Sequence, residues 1–81
     1  MYGHIVDREW VRILNESDLD GNQLEPRYAR NVRTANGMII GRVVRGASDF
    51  AGERFKGGAF VGVGSFHNIE DAAQAIARER P

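Results

Sequence analysis

The dipeptide Asn36-Gly37 constrains the fold of this chain more than any other feature. It separates two stretches of mixed apolar and charged residues, Arg27 to Thr34 and Met38 to Arg45. A two-residue type I′ turn needs positive φ at both central positions, and Asn-Gly meets that need well. The pair predicts an antiparallel hairpin in which Thr34 faces Ile39, Val32 faces Gly41, Arg30 faces Val43 and Tyr28 faces Arg45. One sheet face then carries Tyr28, Arg30, Val32, Thr34, Ile39, Val43 and Arg45. The other carries Arg27, Ala29, Asn31, Arg33, Met38, Ile40, Arg42 and Val44. The first is read as the inner face, with Tyr28, Val32, Ile39 and Val43 turned to the core. A one-residue slip would invert the assignment.

The element that covers this sheet is the C-terminal segment. Ile69, Ala72, Ala73, Ile76 and Ala77 follow the i, i+3, i+4, i+7, i+8 spacing of an amphipathic helix. Asn68 suits the N-cap, Glu70 and Asp71 the positive end of the helix dipole, and Arg78 and Arg80 its negative end. The stripe is mostly alanine, so the helix can lie close to its support. Ala59 to Phe66 reads as a strand. Phe60, Gly62, Gly64 and Phe66 share one face, and the two glycines would admit the helix closely.

The N-terminal segment supports two readings. Val6, Trp10, Ile13 and Leu14 fit a helix capped by Asp7, whereas Trp10, Arg12 and Leu14 fit a strand. The β-branched Val11 and Ile13 tip the balance to strand. Residues 15–22 read as an acidic turn-rich loop, and residues 46–58 as a second loop containing Phe50 and Phe55. The expected fold is α+β: a three- or four-stranded antiparallel sheet with a C-terminal helix packed on one face, in a single domain spanning residues 1–81.

Composition narrows the function classes. The chain has 81 residues, enough for one small core. It has no cysteine, which excludes disulfides, thiolate metal sites and cysteine nucleophiles. No apolar run approaches the ~20 residues of a membrane span. The first residues lack the basic and apolar regions of a secretory signal. A cytoplasmic protein without membrane attachment is expected. Eleven basic residues balance eleven acidic ones, whereas dedicated nucleic-acid binders usually carry a basic excess.

No motif commits the chain to catalysis. Glu16-x-Asp18-x-Asp20-Gly21 resembles the start of a calcium loop, but Arg27 stands where the bidentate glutamate belongs, so a solvated acidic turn is the better reading. Gly62-Val63-Gly64 lacks the third glycine and the parallel strand of a dinucleotide site. His4 and His67 have no partner at a diagnostic spacing, and Ser17, Ser48 and Ser65 lie in no nucleophile context. No enzyme, cofactor or metal is expected. Arg27, Arg33 and Arg42 share a predicted face with Asn31, side chains able to read guanine and adenine edges or to contact a protein. A solvated charged face is the plainer interpretation. The residues expected to contact a partner are Arg27, Arg33, Arg42 and Arg45 on the hairpin, with Phe50, Arg54, Phe55 and Lys56 in the second loop.

Three resemblances extend this reading. The ending Val63-Gly64-Ser65-Phe66-His67-Asn68-Ile69-Glu70-Asp71-Ala72-Ala73-Gln74-Ala75 resembles the close of AP2-type and integrase arm-binding domains, which read DNA with a three-stranded sheet. On that resemblance Arg30, Arg33, Arg42 and Arg45 would be the DNA contacts. Ala35-Asn36-Gly37-Met38-Ile39-Ile40, with the alanine-rich helix, is similar to a small bacterial repeat family of βββα order. Arg33 to Arg42, followed by Gly46-Ala47-Ser48-Asp49, resembles a hairpin of small phage anti-CRISPR proteins, which block a large partner. The expectation is a small binding protein, phage- or mobile-element-encoded, that inhibits a host protein or nucleoprotein complex by occlusion. The alternative is a sheet-based DNA-binding domain. A further possibility is a homodimer in which an edge strand such as Glu9 to Leu14 pairs with itself.

Overall fold

A computed structural model describes residues 3–13 and 27–78. They form strands β1 (His4–Val6), β2 (Val11–Ile13), β3 (Arg27–Thr34), β4 (Ile39–Arg45), β5 (Phe50–Lys56) and β6 (Ala59–Phe66), then helix α1 (Ile69–Arg78). The strands make one antiparallel sheet in the order β1-β3-β4-β5-β6, and β2 pairs with β3 alongside β1. The fold is α+β, with six strands instead of three or four. The acidic turn at 15–22, the calcium-like residues within it, Leu14 and Arg80 lie outside the described residues.

The two additional strands have different origins. The N-terminal segment supplies two short strands instead of one: β1 pairs His4–Val6 with Val32–Thr34, and β2 pairs Val11–Ile13 with Arg27–Ala29. The expected loop at 46–58 is mostly strand β5, paired with both β4 and β6. The turn that forms β5 and β6 into a hairpin is Gly57-Gly58. Both glycines have positive φ, 61° and 84°, and Lys56 faces Ala59 across them, as a type I′ turn requires.

Asn36-Gly37 does make a hairpin, but of another kind. Only Gly37 takes positive φ, at 90°. The Gly37 amide donates to the Thr34 carbonyl at 2.9 Å and the Thr34 amide to the Met38 carbonyl at 2.8 Å. The loop is therefore three residues long, a turn closed by a left-handed glycine. The pairing of Val32 with Gly41 and of Arg30 with Val43 is as the two-residue turn predicts, but Arg33 faces Ile39. Ile40 is the extra residue of a bulge. It packs against the core in place of Ile39, and Tyr28, expected inside, is 40% exposed.

Helix α1 covers one face. Val32 and Val43 of the sheet and Ala72, Ala73 and Ile76 of the helix are fully buried together, with Val6, Ile40, Phe50, Val63, Phe66 and Ile69 packed around them. Burying Val32, Val43 and Ile76 contributes roughly 1.5–3 kcal/mol each. Asn68 is the N-cap: its Oδ1 accepts from the Asp71 amide at 2.8 Å. At the other end the Arg54 guanidinium donates to the Ile76 carbonyl at 2.7 Å, satisfying one orphan helix acceptor. His4 Nε2 and Glu70 Oε1, 3.2 Å apart, tie β1 to the helix.

The glycines that admit the helix are not those the sequence suggests. A Cβ at Gly41 would fall on the Glu53 carbonyl oxygen and within 2.6 Å of Ile76 Cγ2. One at Gly52 would lie 3.1 Å from Val63 and 3.5 Å from the Ala72 carbonyl. Gly62 has nothing within 4 Å of that position. The register shift that leaves Val63 unpaired between Gly52↔Gly64 and Glu53↔Gly62 puts Gly62 and Gly64 on opposite faces.

Candidate functional site

The candidate site is the sheet face opposite α1, on which no described element packs. Its composition follows from register, because directly paired residues project to the same side. Strand β3 places Arg27, Ala29, Asn31 and Arg33 there, since Val32 between them points to the helix. Their partners add Ile13, Val11 and Ile5 on one side and Val44, Arg42 and Ile39 on the other. Strands β5 and β6 add Ala51, Glu53 and Phe55, then Phe60, Gly62 and Ser65.

Cross-strand rows organise this face. Val11, Ala29, Val44 and Ala51 form an apolar row, of which Ala29 and Val44 are buried and Val11 is 54% exposed. Asn31, Arg42 and Glu53 form the polar row beside it. Ile5, Arg33 and Ile39 make a third row on the β1 side, and Phe55 faces Phe60 toward the β6 edge. Ile5 is 52% and Phe55 43% exposed, large apolar surface left in water.

Both central arginines are already engaged. Arg42 Nε lies 2.5 Å from Glu53 Oε1, and its guanidinium carbon stands 4.0 Å above the centre of the Phe60 ring. Phe60 in turn meets Phe55 at 5.1 Å between ring centres. Arg33 forks onto Asp7, with Nε 2.9 Å from Oδ1 and Nη2 3.2 Å from Oδ2, and its Nη1 donates to the Gly37 carbonyl. The hydrogen bond to Asp7, and then the charge of Asp7, raise the Arg33 pKa above its ordinary value, while burial opposes this. Its positive charge is therefore permanent at any working pH.

The residues expected to contact a partner divide between two faces. Arg27, Arg33, Arg42 and Phe55 stand on the open face. Arg45, Phe50, Arg54 and Lys56 belong to the helix side. Phe50 packs against the core and stacks on Trp10 at 6.3 Å. Arg45 and Arg30 lie 6.0 and 5.5 Å from the Trp10 ring centre, and Arg30 Nε donates to the Asp7 carbonyl. The four arginines carried over from the DNA-binding resemblance thus do not share a face. Arg33 and Arg42 are separated from Arg30 and Arg45 by the sheet. Ile5, Val11, Asp7, Glu53 and Phe60 were not singled out from sequence. The Gly57-Gly58 dipeptide is the signal that places Glu53, Phe55 and Phe60 in one hairpin. Nothing local marks Ile5 and Val11, whose face is set by pairing to β3.

No helix among the described residues is long and apolar enough to cross a membrane. Comparison with protein-family models, with curated proteins and with solved structures finds no match.

Proposed function

We propose that this is a small binding protein without catalytic chemistry, which occludes a protein surface with the open face of its sheet. The observation that carries the reading is the composition of that face. Exposed Ile5, Val11 and Phe55 surround arginines that already hold carboxylates. Exposed apolar side chains beside arginine and aromatic rings are what protein interfaces use. Internally neutralised arginines suit a partner that is itself mixed in charge, because docking need not desolvate an unpaired cation. The hairpin resemblance to anti-CRISPR proteins points in the same direction and suggests an inhibitory outcome on a host protein or nucleoprotein complex.

A second reading, sheet-based recognition of DNA, is favoured by one observation: Arg27, Arg33 and Arg42 do share a face with Asn31. Releasing Arg33 from Asp7 and Arg42 from Glu53 would oppose it. Fluorescence anisotropy with mixed-sequence duplex DNA, at low and physiological salt, separates the two. The occlusion reading expects no binding at either salt, and a stoichiometric complex from host lysate that Phe55→Asp abolishes. Tight DNA binding that falls steeply with salt would overturn it in favour of DNA.

A further inference from the structure

The two edges of the sheet are protected differently. One edge is divided between β1 and β2, three residues each, with Asp7, Arg8 and Glu9 between them and Arg12 within β2. Short strands and charges are the usual protection against edge-to-edge pairing. The other edge is β6, whose only strand partner among the described residues is β5. It runs for eight residues, Ala59-Phe60-Val61-Gly62-Val63-Gly64-Ser65-Phe66, with no charge and no proline. The Val61 side chain on it is 50% exposed.

Symmetry restricts how such a strand can meet its own copy. Two identical antiparallel strands are related by a two-fold axis. Side-chain direction and hydrogen-bonding direction both alternate with period two, so paired residues must match in both. The axis therefore passes through a residue facing its own equivalent, not between residues. Side-chain direction alternates regularly from Ala59 through Val63, which still points to the core, and over these residues a centre at Val61 pairs the most. Ala59 then faces Val63 of the second copy, and Phe60 faces its Gly62. Phe60 and Gly62 stand on the same sheet face, and the space over Gly62 is open. An aromatic ring across an edge glycine fills that space, twice by symmetry.

We infer that β6 pairs antiparallel with β6 of a second copy, centred on Val61, to give one continuous sheet across the dimer. The absence of charge on β6 leaves nothing to repel the identical strand. The axis is perpendicular to the sheet, so the two open faces lie on the same side and double the surface available to a partner. The self-pairing edge is thus β6 and not Glu9 to Leu14, of whose described residues only Val11–Ile13 are strand.

Cross-linking tests the register directly. The chain has no cysteine, so Val61→Cys supplies its only thiol. Facing residues of antiparallel strands have Cα atoms ~4.5–5.5 Å apart, within the ~4.4–6.8 Å that a disulfide spans. A cysteine at Ala59 would lie about 14 Å from its equivalent, beyond reach. Mild oxidation of the full chain should convert Val61→Cys to a covalent dimer and leave Ala59→Cys at the 9.0 kDa monomer mass. In sedimentation equilibrium the unsubstituted chain should dimerise. Val61→Lys should weaken this at least tenfold, and Val61→Thr should change it by about twofold or less. A chain that stays monomeric to millimolar concentration overturns the inference. So does a Val61→Lys dimer of unchanged strength, or cross-linking of Ala59→Cys as fast as Val61→Cys. If Val61→Lys loses its circular dichroism signal, the cysteine pair decides.

Discussion

The two faces of this sheet are made by the same strands and held by different forces. On the helix side contact is close and apolar. Gly41 and Gly52 carry no side chain, so Ala72, Ala73 and Ile76 come down almost onto the backbone. Charge stands there at the margins, in the Arg54 cap, the His4–Glu70 pair, and Arg30 and Arg45 beside Trp10. On the open side no described element supplies cover, and the sheet satisfies its own polar groups laterally. Arg42 reaches across to Glu53 and Phe60, and Arg33 reaches Asp7. Burial decides stability on the helix face, while mutual neutralisation keeps the other face available for contact. Outside the buried Ala29 and Val44 of the apolar row, substitutions on the helix side should therefore cost more in stability than those on the open side.

The sharpest way to break that contrast is Ile76→Ala. Ile76 is fully buried, and its truncation should lower unfolding free energy by about 3–4 kcal/mol in a urea titration. Gly41→Ala comes next, at about 2–3 kcal/mol, because the new methyl group has only backbone and Ile76 to displace. The matching change on the open face, Gly62→Ala, should move stability by less than ~0.5 kcal/mol. If the two glycine variants cost the same, the close approach of the helix is not what Gly41 provides.

Smaller effects sharpen the open side. Glu53→Gln leaves the half-buried Arg42 without its counterion and should cost about 1–2 kcal/mol, again by denaturant titration. Asp7→Asn, at a more exposed pair, should cost less than Glu53→Gln and lose that cost in high salt. The raised pKa of Arg33 sets the sign of any pH effect from its protonation. Its contribution is fully present below the unfolded guanidinium pKa and is lost only as pH rises past the still higher folded one. Melting temperature between about pH 6 and 9 should therefore show no change that Arg33→Gln removes.

Legibility in the sequence followed the range of the interactions. Helix α1 was legible in its cap, its stripe and the end charge of Arg78, which all lie within a few residues of one another. Strand β6 was legible in extent but not in facing, because the shift at Val63 depends on its partner strand. Strand β5 was hidden. Glu53 and Arg54 look like loop residues until Arg42 and the Ile76 carbonyl are beside them. The hairpin at Asn36-Gly37 was correct in existence and in two of its four named pairs, Val32 with Gly41 and Arg30 with Val43. Thr34 opposite Ile39 was wrong, because near the turn the chain took a three-residue loop, which set Arg33 opposite Ile39 and put Ile40 into the core in its place. Of the expected contact residues, Arg27, Arg33, Arg42 and Phe55 came together on one face. Arg45, Phe50, Arg54 and Lys56 were on the helix side.

The class of fold, the terminal helix with its buried stripe, and the antiparallel turn around Gly37 follow from the amino-acid order alone. These rest on local periodicity and on the φ freedom of glycine, which a chain carries with it wherever it folds. Which glycines receive the helix, which arginines are neutralised and which edge of the described sheet stays unpaired come from the tertiary fold. Each of those depends on register. A shift of one residue between two strands moves every later side chain to the other face, and register is set by residues far apart in the chain.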